Sequence, residues 1–259
     1  MNEIRVIVNG AAGAMGKILC GKIDASECFT LAAAIDIRAL ENAAAAGVRT
    51  DGSPCPLLPS LADYAGDADV LIDFSNHAGT EALLSEAVKR NLPVIICTTG
   101  HTEEERQAII SASEKIPVFF SANMSVGVAL LTKLVREVSA KFSGDAEIVE
   151  THHRRKLDAP SGTALTLAKA VQEARPGSEI VCGRAGQHKR TSSEIGVQSV
   201  RMGNIAGIHE VFFGTDTETI TLKHEAHDRG VFADGALDAA RFLVGKPAGL
   251  YNMNDLLGE

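Results

Sequence analysis

Nothing in this sequence is built to cross a membrane, to grip a phosphate backbone or to hold a structural metal. No apolar stretch approaches the roughly 20 residues that spanning a bilayer takes. Met1-Asn2-Glu3-Ile4-Arg5 runs straight into a strand-like segment with no signal peptide before it, so a cytoplasmic protein is expected. The formal net charge of −8 argues against a nucleic-acid binder whose affinity rests on neutralising phosphates. It leaves room for a small anionic ligand, because a local basic cluster can outweigh the global sign. Cys20, Cys28, Cys55, Cys97 and Cys182 include no C-x-x-C pair, so no metal site is expected. An odd, scattered set of cysteines suits a reducing compartment, and each reads as a small buried apolar residue. There is no internal repeat and no low-complexity tract; the short run Ala43 to Ala46 reads as helix.

What remains is an ordinary globular composition, 45% hydrophobic and 22% charged over 259 residues, enough for one large domain or two modest ones. The first half alternates apolar runs with helical patterns. Ile4 to Val8, Thr30 to Ile35, Val70 to Ile72, Pro93 to Cys97 and Val118 to Phe120 read as strands. Ala14 to Ile23, Gly79 to Arg90 and Glu103 to Ser113 read as helices. Continuous apolar strands separated by helices predict a parallel sheet covered on both faces, a doubly wound α/β fold. After Asn123 the pattern changes. Ser125 to Phe142 and Ser161 to Ala174 read as helices. Strands are predicted at Ile148 to His152, around Ile180, and over Ile195 to Arg201, Glu210 to Phe213 and Thr217 to His224. On the first of these, Ile148, Glu150 and His152 share one face. This is an α+β module with a mixed or antiparallel sheet. Its two helices can cover only one face, so a homo-oligomer built partly by sheet packing is expected. The helical stretch Val231 to Val244 is expected to rejoin the first domain. The resulting division is residues 1–123 with 232–259, and residues 124–231.

Two segments carry chemistry. Gly10-Ala11-Ala12-Gly13-Ala14-Met15-Gly16 follows the first strand and opens the first helix. Glycine permits the tight turn and the close approach of a pyrophosphate, and the helix N-terminus offers N–H groups and partial positive charge. Asp36, 20 residues beyond Gly16 at the end of the second strand, stands where a carboxylate meets the adenosine ribose hydroxyls. Together these predict a nicotinamide dinucleotide site. Cys97-Thr98-Thr99-Gly100 and Ser121-Ala122-Asn123-Met124 close two further strands at the same crevice, where hydroxyls and backbone groups can hold the nicotinamide half. The carboxylate at Asp36 favours a free 2′-hydroxyl over a 2′-phosphate, so NADH is expected to be preferred with NADPH also accepted. Arg38, on the strand face of Asp36, either offsets that repulsion or pairs with the carboxylate.

The second segment is Glu150-Thr151-His152-His153-Arg154-Arg155-Lys156-Leu157-Asp158-Ala159-Pro160-Ser161-Gly162-Thr163-Ala164. In an acidic chain this basic cluster predicts a site for an anionic substrate. Ser161 reads as a helix N-cap, and the helix start at Gly162 and Thr163 suits a carboxylate. Lys156 adds a mobile point charge. His152 and Lys156 can both donate protons, as a reductase needs once hydride has been delivered.

At these residues the chain closely resembles the 4-hydroxy-tetrahydrodipicolinate reductase family. The likeness extends to Gly13-x-Met15-Gly16, Ile72-Asp73-Phe74-Ser75, Thr98-Thr99-Gly100, Asn123-x-Ser125-Val126-Gly127 and Arg201-x-Gly203-x-Ile205-x-Gly207-x-His209. The resemblance implies a Rossmann-like cofactor domain, a second α+β domain and a homotetramer. It implies reduction of a cyclic imine dicarboxylate by NADH or NADPH in lysine biosynthesis. It makes His152 the acid/base residue and Lys156 the proton donor. His153, Gly162 and Thr163 become substrate contacts; Gly10, Ala11, Ala12, Gly13, Ala14, Met15, Asp36, Cys97, Thr98, Thr99, Ser121, Ala122, Asn123 and Met124 become cofactor contacts. Cys97 stands where that family commonly has glycine and Met124 where it has phenylalanine. Ile37 stands where arginine often follows the acidic residue, and Asn76 and His77 follow Ser75 without the usual basic residue or proline. All these departures fall on the cofactor side. The competing expectations are a Rossmann dehydrogenase of another amino-acid-like anion, and an NAD(H) sensor that turns nothing over.

Overall fold

A computed structural model describes residues 3–40, 55 and 57–258; the alanine run at 43–46 lies outside them. Within these residues the chain parts into two compact units, residues 1–124 with 229–259, and residues 125–228. Among the described residues no helix is long and apolar enough to cross a membrane, and no group of three or more His, Cys, Asp or Glu is placed to hold a metal ion.

In the first unit the apolar runs become β1 (Ile4–Asn9), β2 (Phe29–Ile35), β3 (Leu57–Leu58), β4 (Val70–Asp73), β5 (Val94–Ile96), β6 (Pro117–Phe120) and β12 (Gly249–Tyr251). All pair in parallel in the order β12-β6-β5-β4-β1-β2-β3. The order reverses between β1 and β4, which places a crevice at the carboxyl ends of those strands. Every residue of β4 and β5 is buried, as a sheet covered on both faces requires. α2 (Thr80–Lys89) and α3 (Glu103–Ser113) cover one face, where Leu83, Leu84 and Ile109 join Ile7, Leu71, Ile96 and Val118 in one core. α1 (Ala14–Asp24) and α6 (Gly230–Leu243) pack on each other. A methyl group at Gly235 of α6 would stand 1.6 Å from the Met124 carbonyl oxygen, so that helix lies directly on the backbone there. α7 (Met253–Leu256) is the last helix of the described residues. Two short strands, β3 and β12, have no counterpart in the sequence pattern. After β2 the chain turns at once into a 3₁₀ helix, Ile37–Leu40, so Arg38 stands on a turn rather than on a strand.

The second unit is a five-stranded mixed sheet of β7 (Asp145–His152), β8 (Glu179–Cys182), β9 (Glu194–Arg201), β10 (Gly207–Gly214) and β11 (Thr219–Ala226), ordered β11-β10-β7-β9-β8. β10 is antiparallel to both β7 and β11, whereas β7 and β8 run parallel to β9. α4 (Val126–Lys141) and α5 (Gly162–Ala174) supply Leu131, Val135, Leu167 and Val171 to a core with Ile148, Val197, Val211 and Phe213. β7 alternates strictly, with Ala146, Ile148, Glu150 and His152 buried and Glu147, Val149 and Thr151 half-buried on the opposite side. The cysteines need one correction. Cys55 and Cys97 are buried and Cys20 is half-buried, but Cys28 and Cys182 are exposed, because each lies at a margin of its unit.

Candidate active site

The glycine-rich turn takes its shape from two close approaches. Gly10 has a φ of +81°, and a methyl group on it would meet the Phe74 carbonyl oxygen at 2.6 Å. A methyl group on Gly16 would lie 2.1 Å from the Gly10 carbonyl oxygen, so α1 starts in direct contact with the turn. α3, α4 and α5 are capped by the side chains of Thr102, Ser125 and Ser161. α1 has Gly13 at its cap, no capping side chain and no acidic residue in its first turn. Its first-turn N–H groups are therefore neither capped by a side chain nor faced by a carboxylate from their own turn, which suits phosphates.

Asp36 is buried and already engaged. It accepts the N–H groups of Ala12 and Arg38, both at 3.0 Å, and the Arg38 guanidinium stands 3.3 Å from it. The expected pairing of Asp36 with Arg38 is thus present, although a turn rather than a strand face creates it. At the ends of β4 and β5 a cavity of about 180 Å³ is lined by Phe74, Ser75, Asn76, His77, Cys97, Thr98 and Thr99. The Thr98 hydroxyl donates to Asp73 at 2.7 Å, and the Ser121 hydroxyl donates to the Asn123 carbonyl at 2.7 Å. Both of these hydroxyl protons are committed within the protein. Burial, with the nearby Asp73 carboxylate, pushes the Cys97 thiol well above its ordinary range, so it stays neutral. The groups present fit a dinucleotide: a turn without side chains at its closest approaches, an uncapped helix start, and a buried carboxylate at the end of β2.

The second cluster forms at the end of β7. His152 is buried, and its Nδ1 lies 2.5 Å from Oε2 of Glu150, which is itself fully buried. Arg201 of β9 reaches the same carboxylate with both terminal nitrogens, at 2.7 and 2.8 Å, and donates to the Asp158 carbonyl at 2.6 Å. The Ser161 N–H adds a fourth donor at 3.2 Å. Burial works against a charged Glu150, but Arg201, Ser199 and His152 outweigh it and bring the carboxyl down to about 2. His152 is held below the usual histidine range, chiefly by burial, with Glu150 opposing that shift and Lys156 and Arg201 adding to it.

Lys156, largely covered, pairs with Asp158 at 2.8 Å, and that contact lowers the Asp158 carboxyl. His153 donates its N–H to the Ile205 carbonyl at 2.8 Å, which pins the loop to the segment before β10. Arg155 donates to Asn204 at 2.6 Å. Ser161 caps α5 by accepting the Ala164 N–H, as read from sequence, and Gly162 and Thr163 are the first two residues of that helix. The Ser161 hydroxyl also lies 3.1 Å from Nε2 of His209, whose ring meets that of His152 edge-on with centroids 5.1 Å apart.

The structure therefore brings His152, His153, Lys156, Gly162 and Thr163 into one unit, and the residues Gly10 to Met15, Asp36, Cys97 to Thr99 and Ser121 to Met124 into the other. Glu150, Arg201 and His209, which join this cluster, carry no site role in the sequence pattern. The alternation of β7 already put Glu150 on the buried face, and a buried carboxylate demands a cationic partner.

Comparisons with known proteins agree over the whole length. Residues 4–124 match the model described as dihydrodipicolinate reductase, N-terminus, and residues 127–257 the one described as dihydrodipicolinate reductase, C-terminus. The chain is 42% identical over 257 residues to the 4-hydroxy-tetrahydrodipicolinate reductase of Caldanaerobacter subterraneus subsp. tengcongensis, covering 98% of each. It is 38% identical over 261 residues to that of Clostridium tetani, covering 99% of this chain and 98% of the relative. A dipicolinate-bound dihydrodipicolinate reductase from Paenisporosarcina sp. TG-14 superposes with a TM-score of 0.82 at 25% identity, covering 98% of this chain and 99% of that one. A myo-inositol dehydrogenase from Corynebacterium glutamicum, at TM-score 0.62 and 14% identity over 99% of this chain and 93% of that one, is alike in fold alone. This chain belongs to the dihydrodipicolinate reductase family.

Proposed function

We propose that the protein is a 4-hydroxy-tetrahydrodipicolinate reductase, reducing the cyclic imine dicarboxylate to tetrahydrodipicolinate in the diaminopimelate route to lysine. The observation that carries this reading is the convergence of a buried, carboxylate-backed His152, the ammonium of Lys156 and the start of α5 within one short segment. A dicarboxylate needs fixed positive potential, which the first turn of α5 and Lys156 supply together. Lys156 is held by Asp158 until a substrate carboxylate competes for it. A bound nicotinamide supplies the hydride. The electron-rich enamine left on the substrate must then take up a proton, and Lys156 and His152 are the residues placed to give it.

The cofactor is a pyridine nucleotide, and NADH is the preferred one because Asp36 accepts from a ribose 2′-hydroxyl and repels a 2′-phosphate. Arg38 already leans on Asp36 and is not free to counter that repulsion fully. The working form is a cytoplasmic homotetramer.

The test is oxidation of NADH dependent on the imine, made in situ by the preceding synthase. A positioned general acid is worth about 10²–10⁴-fold, so His152→Ala and Lys156→Ala should each lower turnover by roughly that range. Loss of a charged hydrogen bond to a carboxylate costs about 1.5–3 kcal/mol. Lys156→Ala should therefore also raise the substrate KM about tenfold or more, with NADH affinity unchanged in both variants. No imine-dependent oxidation by the native enzyme would overturn the reading. Near-normal turnover in folded Lys156→Ala would remove Lys156 as the donor.

A further inference from the structure

We propose that Glu150 and Arg201 are positioning residues for His152, fixing its Nδ1 as the protonated nitrogen and leaving Nε2 as the atom that exchanges a proton with substrate. The proposal rests on the reductase reading for its kinetic consequences but not for its geometry.

Glu150 has two oxygens and four donors. Oε1 receives Arg201 Nη2 at 2.7 Å and the Ser161 N–H at 3.2 Å; Oε2 receives Arg201 Nη1 at 2.8 Å and faces His152 Nδ1 at 2.5 Å. Two of the other three donors carry full charge from one guanidinium, a bidentate arrangement that keeps the carboxylate ionised. An ionised carboxylate only accepts, so the proton in the short contact belongs to His152 Nδ1. The second nitrogen is then the one left to titrate. The space beside it is cleared by a glycine: a methyl group on Gly207 would stand 3.0 Å from Nε2.

Every element packed on His152 bears on its charge. Glu150 on its own strand favours the imidazolium, while Lys156 on the following loop and Arg201 on β9 oppose it. His209 on β10 faces it as a second imidazole. Glu150 alone would favour the imidazolium so strongly that Nε2 would not readily release its proton. Paired with Arg201, the carboxylate still orients the ring while the guanidinium opposes its pull on the imidazolium. Arg201 has a second attachment, the Asp158 carbonyl at 2.6 Å, and Asp158 in turn holds Lys156 at 2.8 Å. One guanidinium thus sets both the carboxylate behind His152 and the loop that carries Lys156. Lysine at 201 has a single point of charge and cannot span both oxygens and the carbonyl.

Nitrogen-15 NMR of the His152 ring in the unliganded wild-type protein is the first test, and it needs no variant. The expected result is the Nδ1–H tautomer above the His152 pKa, with a hydrogen-bonded Nδ1 proton shifted far downfield. A dominant Nε2–H tautomer overturns the proposal, whatever the enzyme turns over. Kinetics of Glu150→Gln and Arg201→Lys come second, with circular dichroism and NADH binding as folding controls. Glu150→Gln should lower kcat about tenfold to a hundredfold. It should also move the pH limb governed by His152 down by about one unit, with the KM for NADH unchanged. Arg201→Lys should move that limb the opposite way and raise the substrate KM, because the loop loses its anchor. A wild-type pH profile and kcat within twofold in folded Glu150→Gln would overturn the proposal while leaving the reductase reading intact. Absence of imine reduction in the native enzyme would do the reverse.

Discussion

Two side chains show how burial and charge translate into measurable behaviour. Asp36 is spent on the Ala12 and Arg38 N–H groups as well as on any ribose, so Asp36→Ala would disturb the turn itself. Asp36→Asn keeps an acceptor for Ala12 and removes only the charge. In steady-state kinetics the wild type should favour NADH, and Asp36→Asn should shift the ratio of kcat/KM toward NADPH about tenfold, the effect of about 1.4 kcal/mol. A strong NADPH preference in the wild type would show that Arg38 outweighs the carboxylate. His209 makes a prediction about stability. Burial, and after it the charge of His152, depresses its pKa to about 4, against about 6.5 in an unfolded chain. Between those values the unfolded state binds more protons, so stability is full above about pH 6.5 and falls as pH drops toward about 4. At about 1.4 kcal/mol per unit the loss reaches about 3 kcal/mol. His101 and His224, also lowered by burial, add to the same slope. Urea denaturation near pH 7 and near pH 5 should differ in this sense, and His209→Gln should flatten the difference. An unchanged slope in that variant would mean that His209 does not stay neutral in the folded state.

At the scale of elements, α1 contains its own control. Gly16 faces the Gly10 carbonyl at a distance no methyl group can occupy, whereas Gly21 of the same helix faces open space. Gly21→Ala should stabilise the protein by about 0.5–1 kcal/mol, because alanine loses less backbone entropy in a helix interior. Gly16→Ala should destabilise it and weaken NADH binding, since α1 must move off the turn. Thermal melts and NADH titrations of the two variants should diverge in sign, and equal behaviour would show that the contact at Gly16 relaxes cheaply. The contrast also marks what sequence makes legible. The turn, its helix and Asp36 were readable because glycine spacing and strand ends have local physical causes. The long helices and fully apolar strands were readable for the same reason. β3 and β12 were not, since, unlike β5 in its run Pro93 to Cys97, their two or three residues lie in no longer apolar run and gain their place only by pairing with β2 and β6. The turn at Ile37–Leu40 is not legible because no glycine, proline or asparagine marks it and Ile37 prolongs the apolar alternation. Around His152 the loop chemistry was legible. The carboxylate behind it was visible as a face of β7 but not as a partner, because Arg201 lies 51 residues from Glu150 and only the register of β7 on β9 unites them.

At the scale of the molecule, the mixed sheet of the second unit leaves one question that its own helices do not answer. α4 and α5 pack on the face carrying Ile148, Val197, Val211 and Phe213. The register puts Glu147, Val149 and Thr151 of β7 beside Phe212, Glu210 and Ile208 of β10 on the opposite face, with Gln198 and Val200 of β9 completing the row. These residues are half-buried or exposed within a single chain. A sheet face that mixes Val149, Ile208, Phe212 and Val200 with a few charges is costly to leave in water, at roughly 25 cal/mol per Å² of apolar surface. It also repeats identically in every copy, so two copies can bury it against each other about a two-fold axis. Sedimentation equilibrium at micromolar concentration should give a species four times the 27.2 kDa chain mass. Phe212→Lys together with Val149→Lys sets each new ammonium opposite a carboxylate of the neighbouring strand, Glu147 and Glu210, so the folded chain can tolerate them while the dry face cannot. That double variant should sediment as a smaller species, with the circular dichroism of the native fold and NADH binding retained, because the glycine-rich turn and Asp36 belong to the other unit. A native protein that sediments at the mass of one chain would overturn the homotetramer. An unaltered tetramer in the double variant would place the interface on some surface other than this sheet.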